Sequence, residues 1–282
     1  MIYNFISKTN KKIIYINSNK LEKNRKNSIY DIDYKDNLIY IPDYRNNKIV
    51  LIDKNNLITK TINTHAPHGI EVDNERNIYV TDLLENRVRK FNKDGIEIID
   101  WDNKIHLFLA NRRPYSIDTD NDKNAYIALD NLIIKVSENG QLIKKFDFSK
   151  LNSEKIYPHG ITLHKNKIYI AERKTGKLLV YNTEGEYLNS FTSNIKSGFD
   201  PLSINIYEDT YILVPNYVNS SLHIFNMNGK ELKIVGGKGE SYGKWMFLTN
   251  VTEDNKGNIY TVEQDSNRIQ LINFSLFFKK NN

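Results

Sequence analysis

The 282-residue chain contains no cysteine. That excludes disulfides and any thiolate metal site. No apolar run approaches the ~20 residues that a membrane helix needs. The opening stretch, MIYNFISKTNKKIIYINS, lacks the apolar segment ending in small residues that marks a secretory signal. The expectation is a cytoplasmic protein with no membrane contact. No segment shows a sustained helical period either, so an all-β fold is expected. What is present is the balance of a globular chain, 39% hydrophobic and 26% charged. The net charge of +6 is dispersed, with acidic residues set among the basic ones. Only KLEKNRKN (20–27) is a basic cluster, and it reads as a solvated loop, so nucleic acid is not the expected partner.

The chain repeats itself. Six segments share a short alternating run, a turn, a strand of the IY-V/I kind, a polar break and further strands. They begin at Asn27, Pro67, Pro114, Pro158, Pro201 and Leu248, with successive gaps of 40, 47, 44, 43 and 47 residues. About four strands in a ~40–50-residue period is the signature of a propeller blade. Residues 1–282 therefore read as one domain, a six-bladed β-propeller. Residues 1–26 supply a closing strand and loop: KIIYIN (12–17) is expected on the outside of the last blade, where FSLFF (274–278) competes for the place. The glycine-rich GGKGESYGKWMF (236–247) has no βαβ context, and it reads as a linker between blades rather than a phosphate loop.

Two of the six histidines share one local pattern, in HAPHGIEVD (65–73) and IYPHGITLH (156–164). The first strand of each blade lines the central channel. The positions equivalent to His68 should therefore form one ring: Ser28, His68, Tyr115, His159, Leu202 and Thr249. The loop after the second strand adds Asp43, Tyr44, Arg45, Asp82, Glu172, Arg173, Asn216, Tyr217 and Glu263 to the same mouth. Imidazoles converging with carboxylates and a guanidinium suit acid–base chemistry or a metal. His68, His159 and Arg173 are the candidate catalytic residues, with the two histidines as candidate metal ligands. Tyr115, Glu172, Tyr217, Thr249 and Glu263 are candidate ligand-binding residues. The structural alternative is that the histidines merely line the channel, bonded to water or a carbonyl. His65, His106, His164 and His223 read as surface or turn residues.

The stretches GNIYTVEQDSNRIQLINF (257–274) and NIYVTDLLENRVRKFNKDG (77–95) resemble the NHL-repeat propellers. Within that group, PHGIEVDNERNIYVTD (67–82) and PHGITLHKNKIYIAERKTGKL (158–178) are similar to peptidylglycine α-hydroxyglycine amidating lyase, a six-bladed zinc enzyme. The resemblance implies zinc held by histidines of three alternate blades, the first two being His68 and His159. It also implies an active-site arginine at Arg173. The chain departs from that pattern in several places. Thr249 stands where the third histidine belongs, and Asn250 where the family has a calcium-associated aspartate. The family's tyrosine is missing from the loop after NAYIALD, and its arginine at the start of blade one has no counterpart at Asn27 or Ser28. The expected function is a small-molecule or peptide site at the channel mouth with metal-assisted lyase or hydrolase chemistry, zinc being completed by Glu263 or water. The alternative is a non-catalytic scaffold that binds protein or RNA across the rim.

Overall fold

The six IY-type runs are the second strands of six antiparallel sheets arranged as a propeller in the computed structural model. The structure describes residues 5–8, 11–15, 29–53, 58–148, 156–195, 197–254, 256–266 and 268–278. The chain starts with β1 (Phe5–Lys8) and β2 (Lys11–Tyr15). Blade one follows with β3 (Asp33–Lys35), β4 (Leu38–Asp43), β5 (Lys48–Asp53) and β6 (Ile58–Asn63). Blade two holds β7 (Pro67–Val72), β8 (Ile78–Asp82), β9 (Arg87–Phe91) and the helix α1 (Ile99–Leu109). Blade three is β10 (Ser116–Thr119), β11 (Ala125–Leu129), β12 (Leu132–Val136) and β13 (Leu142–Asp147). Blade four is β14 (Pro158–His164), β15 (Lys167–Glu172), β16 (Lys177–Asn182) and β17 (Tyr187–Phe191). Blade five is β18 (Asn205–Tyr207), β19 (Tyr211–Asn216), β20 (Ser221–Asn226) and β21 (Glu231–Gly236). Blade six is β22 (Leu248–Glu253), β23 (Asn258–Glu263) and β24 (Arg268–Asn273).

The core lies between blades, which is why the second strands are apolar at nearly every position rather than alternating. Successive side chains of a strand point to opposite faces. Ile39 and Ile41 of β4 accordingly pack with Tyr260, Val262 and Ile269 of blade six, while Tyr40 packs with Val80 and Phe91 of blade two. The β3–β4 turn has both central residues left-handed, Asp36 at φ 51° and Asn37 at φ 64°. Two-residue turns of that kind match the twist of the strands they join, and Asp and Asn tolerate them.

The N-terminal strand closes the ring as expected. β2 pairs antiparallel with β24, Lys12 opposite Leu271 and Ile14 opposite Ile269, and β1 adds a fifth strand outside it. Residues 16 and 17 of the expected segment lie outside the described residues. FSLFF does not compete: Phe274–Phe277 is a turn of 3-10 helix, and Phe274 stacks on Tyr207 of blade five with ring centroids 4.0 Å apart.

Blade two departs from the four-strand pattern of the other blades. Three strands are followed by α1, which covers the outer edge of β9. Trp101, Ile105 and Leu109 enter the core beside Tyr79, Val88 and Ile127, and the buried Asp102 carboxylate pairs with Arg87 at 2.9 Å. No helix among the described residues is long and apolar enough to cross a membrane.

Candidate functional site

In five of the six blades, the entry to the inner strand is fixed by pairing with the polar residue that ends the second strand. Ile29 pairs with Asp43, Pro67 with Asp82, Pro158 with Glu172, Pro201 with Asn216 and Leu248 with Glu263. The next residue faces the channel mouth. The ring therefore runs Tyr30, His68, Tyr115, His159, Leu202, Thr249. Blade one contributes Tyr30, not Ser28, because Ile29 takes the place that proline holds in blades two to five; Ser28 lies outside the described residues. The ladder skips at Pro67/Ile70, Pro158/Gly160 and Leu248/Asn250. His68, His159 and Thr249 thus stand at bulges, which re-aim a side chain. The glycine after each histidine answers a close approach of the neighbouring blade. A Cβ on Gly160 would lie 2.6 Å from Ser203 Cα and 2.8 Å from the Leu202 carbonyl oxygen. That proximity lets the His159 imidazole reach Leu202.

The mouth encloses a cavity of about 220 Å³. Its wall contains the ring residues Tyr30 to Thr249, then Asp31, Ser116, Ser203, Asn250 and Gln264, with Arg173 and Tyr217 above. The aromatics alternate. His68 stacks on Tyr30 with centroids 4.6 Å apart, and His159 on Tyr115 at 5.2 Å.

The two imidazoles are held in different states. His159 Nδ1 lies 2.9 Å from the Leu202 carbonyl, which can only accept, so Nδ1 carries the proton and Nε2 offers a lone pair. His68 Nδ1 is buried without a hydrogen-bond partner. A buried unsatisfied N–H is costlier than a buried bare nitrogen, so the proton belongs on His68 Nε2. Burial keeps both rings neutral: His68 is pushed down to about 3, further opposed by a charge on His159, and His159 to about 4. Burial also pushes the Asp31 carboxyl up to about 7, against donation from the amides of Ile70 and Ile32 and from the Asn250 side chain.

The remaining expected site residues divide. Arg173 overhangs the mouth, but both arms of its guanidinium hold Asp200, at 2.7 and 2.9 Å, and it stacks over Tyr217 at 5.4 Å. Tyr115 donates its hydroxyl to Asp130 at 2.9 Å, and Tyr217 donates to Gln264 at 2.8 Å. Thr249 lines the cavity with its hydroxyl turned to the Val262 carbonyl at 3.3 Å. Glu172 and Glu263 do not join them. Glu172 turns into its own loop and accepts from the amides of Tyr157, Lys174 and Thr175. Glu263 pairs with the buried Arg268, at 2.5 and 2.8 Å. Asp82 likewise accepts from the amides of Leu84 and Glu85, and from His65 at 2.6 Å. These acids end the second strand and cap the loop that follows. His223, expected at the surface, is fully buried and pairs with Glu231 at 2.7 Å.

The residues present do not by themselves make a zinc site. A ligating histidine normally gives its other N–H to an acceptor. His159 meets that requirement, whereas His68 bound through Nε2 would bury an unsatisfied Nδ1–H. Among the described residues, one group of three His, Asp or Glu has its ligand atoms mutually within 4.8 Å: His65, Asp82 and Glu85. Arg89 stands there already, 2.5 Å from Glu85 and 3.7 Å from Asp82, and opposes a cation.

The inner strands are stitched across the blades by side-chain oxygens, since their ladders end at each blade. Asp31 and Asp33 accept from the Ile70 and Val72 amides of blade two, both at 2.8 Å. Ser116 and Asp118 accept from the Ile161 and Leu163 amides of blade four, at 3.3 and 2.6 Å. At the far end of the channel, a cavity of about 370 Å³ is bordered by Asp33, Glu71, Asp118 and Glu253. Burial pushes Asp33 and Asp118 up to about 6 and Glu253 to about 7; it raises Glu71 as well, helped by repulsion from Asp118 and Asp33. Such groups bind protons more tightly folded than unfolded, so their contribution to stability is lost as pH rises through the folded values. The histidines act oppositely, mainly below their unfolded value near 6.5. Lowering the pH from 8 to 7 should therefore raise Tm, by about 1 °C. Scanning calorimetry that shows a flat or opposite trend contradicts it, and Asp31→Asn with Glu253→Gln should flatten the slope.

No known family's sequence profile matches the chain. Solved structures share its fold. A catalytically inactive histidine-to-alanine variant of virginiamycin B lyase from Staphylococcus aureus, in complex with quinupristin, superposes with a TM-score of 0.67. It is 15% identical, over 93% of this chain and 99% of that one. A gluconolactonase from Xanthomonas campestris gives 0.65 at 9% identity, over 94% and 90%. A Bacteroides caccae protein of unknown function gives 0.58 at 16%, over 77% and 79%. Identities this low establish the six-bladed architecture and nothing finer.

Proposed function

We propose that this NHL-type propeller carries a small-molecule or peptide site at its channel mouth, acting in the cytoplasm by lyase or hydrolase chemistry. The observation that carries the reading is the pair of opposite imidazole states in one cavity. His159 Nε2 can accept a proton, and His68 Nε2–H can donate a hydrogen bond to an oxygen that gains charge. Eliminating an oxygen leaving group next to a carbonyl uses both, the proton taken by His159 passing on to the leaving oxygen, and so does adding water to an ester carbonyl. Asp31, titrating near neutral pH, is the group whose charge changes over the working range. The likeness to a lyase and a lactonase supports this reaction class, as does the loss of catalysis when one histidine of the Staphylococcus aureus lyase becomes alanine. No step here runs through a metal.

The test is a panel of lactones and cyclic depsipeptides. Turnover of one member should fall at least ~100-fold in His159→Ala and in His68→Ala, with the far-ultraviolet circular dichroism unchanged. Inactivity on the whole panel, or full activity in His159→Ala, defeats the proposal. One observation favours the scaffold reading instead: Leu84, Ile96, Ile99 and Leu107 of blade two are 60–77% exposed. It gains if charged replacements there remove a protein partner while the mouth variants bind it normally.

A further inference from the structure

A second cavity, of about 510 Å³, opens beside the mouth and is lined by Arg113, Tyr115, Tyr157, His159, Arg173 and Lys174. It shares Tyr115, His159 and Arg173 with the channel-mouth cavity, so one ligand can reach into both. Its volume is in the range of small-molecule sites. Two of its walls are aromatic, Tyr115 and Tyr157, and three of its six side chains are cationic.

The cations are not equivalent. Arg173 is neutralised by Asp200. Arg113 and Lys174 form no ion pair with a carboxylate among the described residues, and Lys174 Nζ rests over the Tyr157 ring at 5.7 Å. Several half-buried lysines of this chain do meet carboxylates: Lys104 meets Asp100 at 2.6 Å, Lys123 meets Glu75 at 2.6 Å, and Lys144 meets Glu184 at 2.8 Å. Two cations with no ion pair among the described residues, on one aromatic-walled cavity next to an imidazole, form a place for negative charge. A guanidinium presents a planar fork to an oxyanion, and an ammonium adds a point charge.

We infer that this side groove is an oxyanion subsite, in which Arg113 and Lys174 hold the carboxylate or phosphate of a ligand with an aromatic or apolar body while its other end lies at His159. The inference rests on the acid–base reading only for what happens at that other end.

The test uses three probes on one scaffold: phenylacetate, phenyl phosphate and the neutral phenylacetamide, titrated calorimetrically at millimolar concentration. At least one of the two anions should bind, whereas phenylacetamide should not. The Arg113→Gln/Lys174→Gln double variant should weaken the anion roughly tenfold, and added salt should weaken it too. Both side chains are exposed, and unchanged circular dichroism confirms that the variant folds. The preferred anion tells a carboxylate ligand from a phosphate ligand. The subsite is overturned if neither anion binds, if the amide binds as well as the acid, or if the double variant binds equally. The acid–base reading fails separately. His159→Ala that keeps turnover of neutral cyclic esters defeats that reading and leaves probe binding standing, whereas lost probe binding with intact turnover defeats the subsite alone.

Discussion

Glu263→Ala is expected to lower stability by about 3–5 kcal/mol, the usual result of stripping one partner from a buried ion pair. Arg268 is 1% exposed and would keep its charge without the carboxylate that two of its nitrogens now hold. The change would also release the amide of Met246 and the hydroxyl of Ser266. Because Arg268 donates onward to the Lys244 carbonyl at 2.9 Å, the glycine-rich 237–247 segment would lose its anchor. Replacing both partners together, Glu263→Leu with Arg268→Met, should recover most of the loss, since no bare charge remains. Urea denaturation decides the matter. A loss below about 1 kcal/mol for Glu263→Ala contradicts a structural role and returns Glu263 to the ligand-binding set.

Gly160→Ala should cost about 2–3 kcal/mol and disturb the mouth as well. The new methyl meets main-chain atoms of blade five, Ser203 Cα and the Leu202 carbonyl, which cannot move without shifting a strand. That same carbonyl orients His159, so ligand binding at the mouth should weaken together with stability. Gly69→Ala should be milder, because its nearest neighbour is the Thr81 hydroxyl at 2.8 Å, followed by the Tyr115 carbonyl at 3.2 Å. Thermal melts of the two variants that rank the other way, with Gly69→Ala the more damaging, refute the close-approach account of the repeated PHG pattern.

The blades were legible because their second strands are buried on both faces, leaving an unbroken apolar run in every copy. His68, His159 and Tyr115 could be placed at the mouth from the proline ahead of them. Tyr30 was missed because blade one has Ile29 at that position. Asp31 was missed because only the inner-strand pairing shows it turned to the channel; the matching YDID (30–33) and YSID (115–118) carried that signal. Glu172 and Glu263 were placed on the correct loop and given the wrong direction, since a loop amide competes with a ligand for a carboxylate. The helix in blade two lacks both termination signals: Ile98 makes no side-chain cap, and Ala110 turns left-handed at φ 50° where glycine is usual. Its exposed Ile99 and Leu107 also blur the apolar stripe of Trp101, Ile105 and Leu109.

The oxygen stitches between inner strands have a kinetic consequence. Within a sheet, an amide exchanges its proton when a ladder opens; the amides of Ile70, Val72 and Leu163 instead exchange when one blade parts from its neighbour. Deuterium uptake at these three positions, set beside uptake at the middle of β8 or β15, separates loosening of the ring from unfolding of a blade. The carboxyls of Asp31, Asp33 and Asp118 are held above the ordinary value by burial, so they favour the closed seam when protonated. Raising the pH should therefore loosen the seams of blades one–two and three–four first, while every sheet stays intact.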